Sequence, residues 1–165
     1  MNRKKIYGYL FFLYSAVMLG LLFIRQRPDT SAPGFSYWEY LLTHTHLIPF
    51  RVTGGFLDLL LHPQQYLSWM EPEAYRASFF HAIRNLGGNI FLFVPLGFLL
   101  PRVFGRLQSW KSTLLCTVVI ILCVEILQVI TLLGYCDIDD LILNTLGAAL
   151  GYGLHQLQKN KVAPK

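Results

Sequence analysis

Residues 113–147 read Thr113-Leu-Leu-Cys-Thr-Val-Val-Ile-Ile-Leu-Cys-Val-Glu125-Ile-Leu-Gln128-Val-Ile-Thr-Leu-Leu-Gly-Tyr-Cys-Asp137-Ile-Asp-Asp140-Leu-Ile-Leu-Asn144-Thr-Leu-Gly147. Fourteen of the 21 residues from Thr113 to Leu133 are Leu, Ile or Val. Each contributes about −0.3 to −0.6 kcal/mol to membrane insertion, and their sum of roughly −6 outweighs about +3 for one charged group near the centre. The segment therefore inserts despite Glu125. An ionisable side chain at membrane depth marks a functional site by default, because hydrocarbon offers its charge no partner. Residues three apart share a helix face, so Gln128 points the same way as Glu125. The acidic turn Asp137–Asp140 then leads into a second apolar segment, with Asn144 one helical turn further on.

The rest of the chain agrees with a membrane protein. Of 165 residues, 54% are hydrophobic and only 14% charged, against about a quarter charged in soluble domains. Ile6–Ile24 carries no charge over 19 residues, enough to cross about 30 Å of hydrocarbon. It is read as a retained anchor, since a cleavable signal has a shorter apolar core of roughly 7–15 residues. The expectation is an all-α domain over residues 1–165 with four spans, at about 6–24, 86–100, 113–133 and 141–157. The second and fourth are short, which leaves a re-entrant reading open for both.

Basic residues set the orientation. Three lie in the N-terminal tail, three in 101–112, three in the C-terminal tail and none in 134–140. The positive-inside rule then puts both termini in the cytoplasm. Glu125, Asn144, Asn89 and Arg84 fall near one level in the outer half of the membrane. The net charge of +5 is spread along span flanks, so it reports topology and implies no nucleic-acid partner.

Residues 25–85 form an extracellular segment too long for a plain connector. Ser36 and Glu39 fit a capping box for a short helix to about Thr43, and Glu71-Pro72-Glu73 resembles another helix start. These helices lie in the outer interface, with a lid over the polar site as the alternative. Pro95 with Gly97 predicts a kink, and Gly147 with Gly151 a close helix contact.

Each motif also has a plain structural reading. Asp137 and Asp140 suit caps at a helix N-terminus, and Glu125 with Gln128 can simply hydrogen-bond a neighbouring helix. His44, His46, Asp58, His62 and His81 form no specific ligand pattern, so no metal is expected, and no cofactor signature is present. Cys116 and Cys123 are expected to pack as small apolar side chains, with Cys136 alone in a turn.

Three motifs in order, Asn89-Ile-Phe-Leu-Phe-Val-Pro95-Leu-Gly97, Glu125-Ile-Leu-Gln128 and Asp137-Ile-Asp-Asp140-Leu-Ile-Leu-Asn144-Thr-Leu-Gly147, ending in Gly151, resemble the VanZ-like family. His46-Leu-Ile-Pro49-Phe50 is similar to that family's Asn-Leu-x-Pro-Phe segment, with His for Asn. The resemblance implies a small multi-pass cell-membrane protein of Gram-positive bacteria, whose namesake is associated with low-level teicoplanin resistance, and a characteristic set made of Asn89, Pro95, Gly97, Glu125, Gln128, Asp137, Asp140, Asn144, Gly147 and Gly151. Many members carry an Arg shortly before the first Asp. Here Tyr135-Cys136 stands there, and Arg84 is the candidate replacement.

The leading expectation is a protein without a defined enzymatic activity that modulates the cell envelope. Asn89, Glu125, Gln128, Asp137, Asp140, Asn144 and Arg84 would form an outward-facing pocket for a lipid or lipid-linked wall component. One alternative is an intramembrane enzyme on a lipid headgroup or wall precursor, with Glu125 or Asp140 as general base. The other is a structural partner subunit associating through Gly147 and Gly151.

Overall fold

The computed structural model describes residues 3–23, 30, 34–134 and 136–162. The framework is helical: α1 (Arg3–Phe23), α2 (Tyr37–Thr43), α3 (Arg51–Leu61), α4 (Pro63–Leu67), α5 (Pro72–Val103), α6 (Trp110–Ile130) and α7 (Ile138–Val162). A 3-10 turn at Gly105–Leu107 joins α5 to α6. Ile24 and most of residues 25–33 lie outside the described residues.

The helix starts follow local chemistry. Ser36 Oγ accepts from the Glu39 N–H at 3.4 Å, the serine half of the expected capping box, and α2 ends at Thr43. α5 begins at Pro72, whose missing N–H costs nothing at a first helical position. It then departs from expectation. The segment read as a short span at 86–100 is the second half of one 32-residue helix, about 48 Å long at about 1.5 Å per residue. Gly87 and Gly88 fail to interrupt it, and the helix continues through Pro95 and Pro101. Packing on both sides supplies what propensity withholds. α7 is likewise longer than the 141–157 stretch expected.

Contacts give the helix directions. Tyr14 donates to the Leu92 carbonyl at 2.7 Å, and Arg102 lies over the Tyr7 ring, so α1 runs antiparallel to α5. Gly147 faces Ile90, Gly151 faces Val94, and Arg102 Nη2 donates to Gln158 Oε1, so α5 and α7 run parallel. The apolar core sits where α1, α5 and α6 meet, around Met18, Phe93, Leu96, Leu100 and Ile121. Lys4, Arg102, Arg106, Lys111 and Lys159 therefore gather at one end of the bundle, and Asp137, Asp139 and Asp140 at the other.

The seam between α5 and α7 is closed by glycine. A Cβ on Gly97 would lie 1.9 Å from the Ala148 carbonyl oxygen, on Gly147 2.1 Å from that of Ile90, and on Gly151 1.9 Å from that of Val94. Only the absence of side chains lets these backbones meet, the small-residue geometry of close helix pairs.

α5 and α6 are long and apolar enough to cross a membrane. On α6 the polarity is inverted relative to a water-soluble helix: Thr113, Thr117, Glu125 and Gln128 are buried, while Leu115, Val119, Leu122 and Ile126 are exposed. Cys123, expected in the core, is exposed on that outer face, and Cys116 is half-buried. One feature falls outside the all-α expectation. Two-residue strands β1 (Thr45–His46) and β2 (Cys136–Asp137) pair in parallel, with His46 opposite Asp137. Strands this short carry no periodicity to read.

Candidate functional site

The acidic turn is tied in three directions. Glu125, 4% exposed and towards the C-terminal end of α6, accepts from the Asp137 N–H at 3.2 Å through Oε2. Asp137 in turn accepts from the Asp139 N–H at 2.9 Å, the local cap that its position before α7 suggests. The Cys136 N–H donates to the His44 carbonyl at 2.9 Å, drawing the chain before α3 against the turn. This pairing sets His46 Nδ1 at 3.6 Å from Asp137 Oδ2, close enough for attraction and too long for a hydrogen bond.

Asp139, which no motif reading singled out, makes the most consequential contact. Its carboxylate accepts from the backbone N–H groups of Phe50 at 2.5 Å, Val52 at 3.0 Å and Thr53 at 2.8 Å. These are donors at the start of α3 that no side chain of α3's own caps. A carboxylate there also meets the positive end of the helix dipole. Burial pushes the Asp139 pKa up, but the hydrogen bonds from Thr53, Phe50 and Val52 outweigh it and leave the carboxyl below its ordinary value. Phe50 adopts a left-handed backbone, φ 62°, a strain of about 1–3 kcal/mol for a non-glycine residue. Its N–H bond to Asp139 helps hold it there.

With α3 so anchored, a cleft opens between it, α5 and the acidic turn. Its polar chamber encloses about 680 Å³ and is lined by His46, His81, Arg84, Asn85, Asn89, Asp137 and Asp140, with Val52 and Phe56 from α3. An adjoining groove of about 770 Å³ shares Val52, Phe56, His81 and Arg84 and continues along Gly55, Leu59 and Ala77. Asn89 Nδ2 donates to Asp140 Oδ1, closing the chamber floor between α5 and α7. Phe56 meets the His81 ring edge-on at 5.4 Å.

The sequence-derived set divides here. Asn89, Asp137, Asp140 and Arg84 line the chamber; Glu125, Gln128 and Asn144 are buried and do not. Asp140 reaches α5 through Asn89, where a helix cap was its plain reading. The Asn144 Oδ1 is buried without a hydrogen-bond partner among the described residues. Arg84, offered as the partner for the first aspartate, makes no ion pair among the described residues, and His46 is the group beside Asp137. Gly97, Gly147 and Gly151 lie in the helix seam and Pro95 on the same half of α5. Asp58 pairs with His62 at 2.8 Å and accepts from Tyr66 at 2.7 Å, away from the cleft. Among the described residues no cluster of three or more His, Cys, Asp or Glu is set to hold a metal.

His81, Asn85 and Asn89 were missed as a group, although they follow one another at four-residue spacing, one face of a helix. Dividing the segment at residue 86, between an interfacial helix and a span, hid that stripe. His46 carried a signal in its departure from the family's Asn.

A family model described as VanZ/LLP1 matches residues 11–159, and the chain belongs to that family. Protein VanZ of Enterococcus faecium is 31% identical over 129 residues, covering 76% of this chain and 74% of that protein. No solved structure matches the chain.

Proposed function

We propose that the protein is a multi-pass membrane protein that alters the cell envelope, and with it teicoplanin susceptibility, by holding a lipid or lipid-linked wall component in the cleft. Its four spans are α1, the 86–100 part of α5, α6, and α7 from about residue 141; α2–α4 rest in the outer interface, and both termini are cytoplasmic. Two features support this orientation: the cations gathered at the end holding Lys4, Arg102 and Lys159, and the apolar outer face of α6. The cleft then opens on the outer side, where a wall precursor or lipid headgroup is within reach.

The observation that carries the reading is the union of a polar chamber and an apolar groove through shared walls at Val52, Phe56, His81 and Arg84. Ligand sites combine apolar lining with a few placed polar groups, and an amphipathic ligand matches both halves at once.

The test is teicoplanin and vancomycin susceptibility of a host lacking its own family member, complemented with wild type or Arg84→Ala at equal membrane levels. Wild type is expected to raise teicoplanin tolerance and the variant to lose most of that gain. Equal tolerance conferred by both removes the cleft from the function.

A further inference from the structure

The order of chemistry along the cleft narrows the ligand. The groove beside Gly55, Leu59, Ala77 and Ser78 is mostly apolar; Arg84 and His81 stand at its junction with the chamber; Asp137 and Asp140 lie beyond, in the chamber. An acyl chain, a phosphate and an ammonium group follow one another in the same order in an amine-headed phospholipid. The geometry points to a zwitterionic aminophospholipid of the phosphatidylethanolamine type as the cleft's ligand. This rests on the lipid reading above and adds which headgroup is selected.

Charge decides against the other headgroups. Apart from its two histidines the chamber carries one cation, Arg84, and two carboxylates, Asp137 and Asp140, hence a net −1. A phosphate on Arg84 without an amine would deepen that to −2 and face both acids, a like-charge juxtaposition that discriminates strongly. A primary ammonium restores the balance. It also supplies N–H donors, which the Asp137 and Asp140 carboxylates on the chamber wall can accept. A quaternary ammonium, as in phosphatidylcholine, has no N–H to give. Arg84 presents a planar fork suited to phosphate oxygens, and Phe56 with Val52 lines the path that the chain takes out of the chamber.

Native mass spectrometry of the full-length protein tests this, after release from nanodiscs holding phosphatidylethanolamine, phosphatidylglycerol and phosphatidylcholine with identical acyl chains in equal amounts. Phosphatidylethanolamine is expected to be retained at least fivefold over either competitor. Asp140→Asn should bring that ratio towards one while total bound lipid stays. Arg84→Ala should lower retention of all three. The wild-type ratio stands as a test even where a variant fails to fold. Equal retention of the three lipids, lost together in Arg84→Ala, overturns the amine selection and leaves the lipid reading intact. Retention unchanged in Arg84→Ala and in Gly55→Trp, which fills the groove, overturns both. Displacement of lipid by equimolar glycerophosphoethanolamine, which has no acyl chain, also overturns the lipid assignment.

Discussion

α5 and α7 run side by side, yet the two halves of their contact obey opposite rules. In the half from Ile90 onward, Gly97, Gly147 and Gly151 bring backbone against backbone with no room for a methyl group. Towards the acidic turn the contact is made by side chains, Asn89 to Asp140, and the space beyond them is the cleft. The far wall of that cleft, α3, is tied to the turn through one carboxylate, Asp139. The seam tolerates no added volume, whereas the cleft depends on a few hydrogen bonds. Stability is concentrated in the one and adjustable shape in the other.

The largest expected effect comes from the seam. Gly97→Ala should lower stability by about 1–3 kcal/mol or more, because the added carbon meets a backbone carbonyl that only helix separation can relieve, and Gly151→Leu should leave little folded protein. Gly153, on the same helix with nothing within 4 Å of its missing Cβ, is the control: Gly153→Ala should be neutral or stabilising by up to about 1 kcal/mol. Thermal unfolding in detergent reads all three. A Gly97→Ala protein as stable as wild type would mean that the seam is looser than described.

Next in size is the release of α3. Asp139→Ala removes the acceptor for three backbone donors, and a hydrogen bond to a charged group contributes about 1.5–3 kcal/mol. The loss should be local. Amide exchange at Val52 and Thr53 should accelerate strongly while exchange in α5 and α7 near Gly97 and Gly151 stays slow. Uniform acceleration across the protein would make Asp139 part of the global core.

The smallest effect is a pH dependence of the same contact. The Asp139 pKa is depressed in the folded state, so its contribution is fully present above the ordinary aspartate value of about 3.9 and fades as pH falls below that through the folded value. Protection of the Val52 and Thr53 amides should therefore decline below about pH 4, and Asp139→Asn should show no such decline. Seam amides should hold through the same range.

Much of this was legible in the residues. The length and apolar character of α6, the shared face of Glu125 and Gln128, the Ser36 cap and the close contact of Gly147 and Gly151 each follow from spacing within one helix. Arg84, Asn89, Asp137 and Asp140 were read as parts of one pocket and line the cleft, whereas Glu125, Gln128 and Asn144, read with them, are buried behind it. What escaped has a common cause. That the helix starting at Pro72 runs on through 86–100 was hidden because Gly87, Gly88 and Pro95 all argue against a long helix, and packing against α1, α3 and α7 overrides such propensities. Asp139 looked like one more first-turn acid, since its partners Phe50, Val52 and Thr53 lie almost ninety residues away in the chain.

Composition and periodicity by themselves determined that the chain is helical and where its apolar segments run, because burial of a helix face is written into every third or fourth residue. The three family motifs also placed the chain in the VanZ/LLP1 family. Only the tertiary structure decided that His46 sits beside Asp137, that Asp139 holds α3, and that Glu125 braces the acidic turn from behind the cleft. Those contacts join segments distant in sequence through single hydrogen bonds or a two-residue bridge, and such pairings leave no periodic trace in a lone sequence.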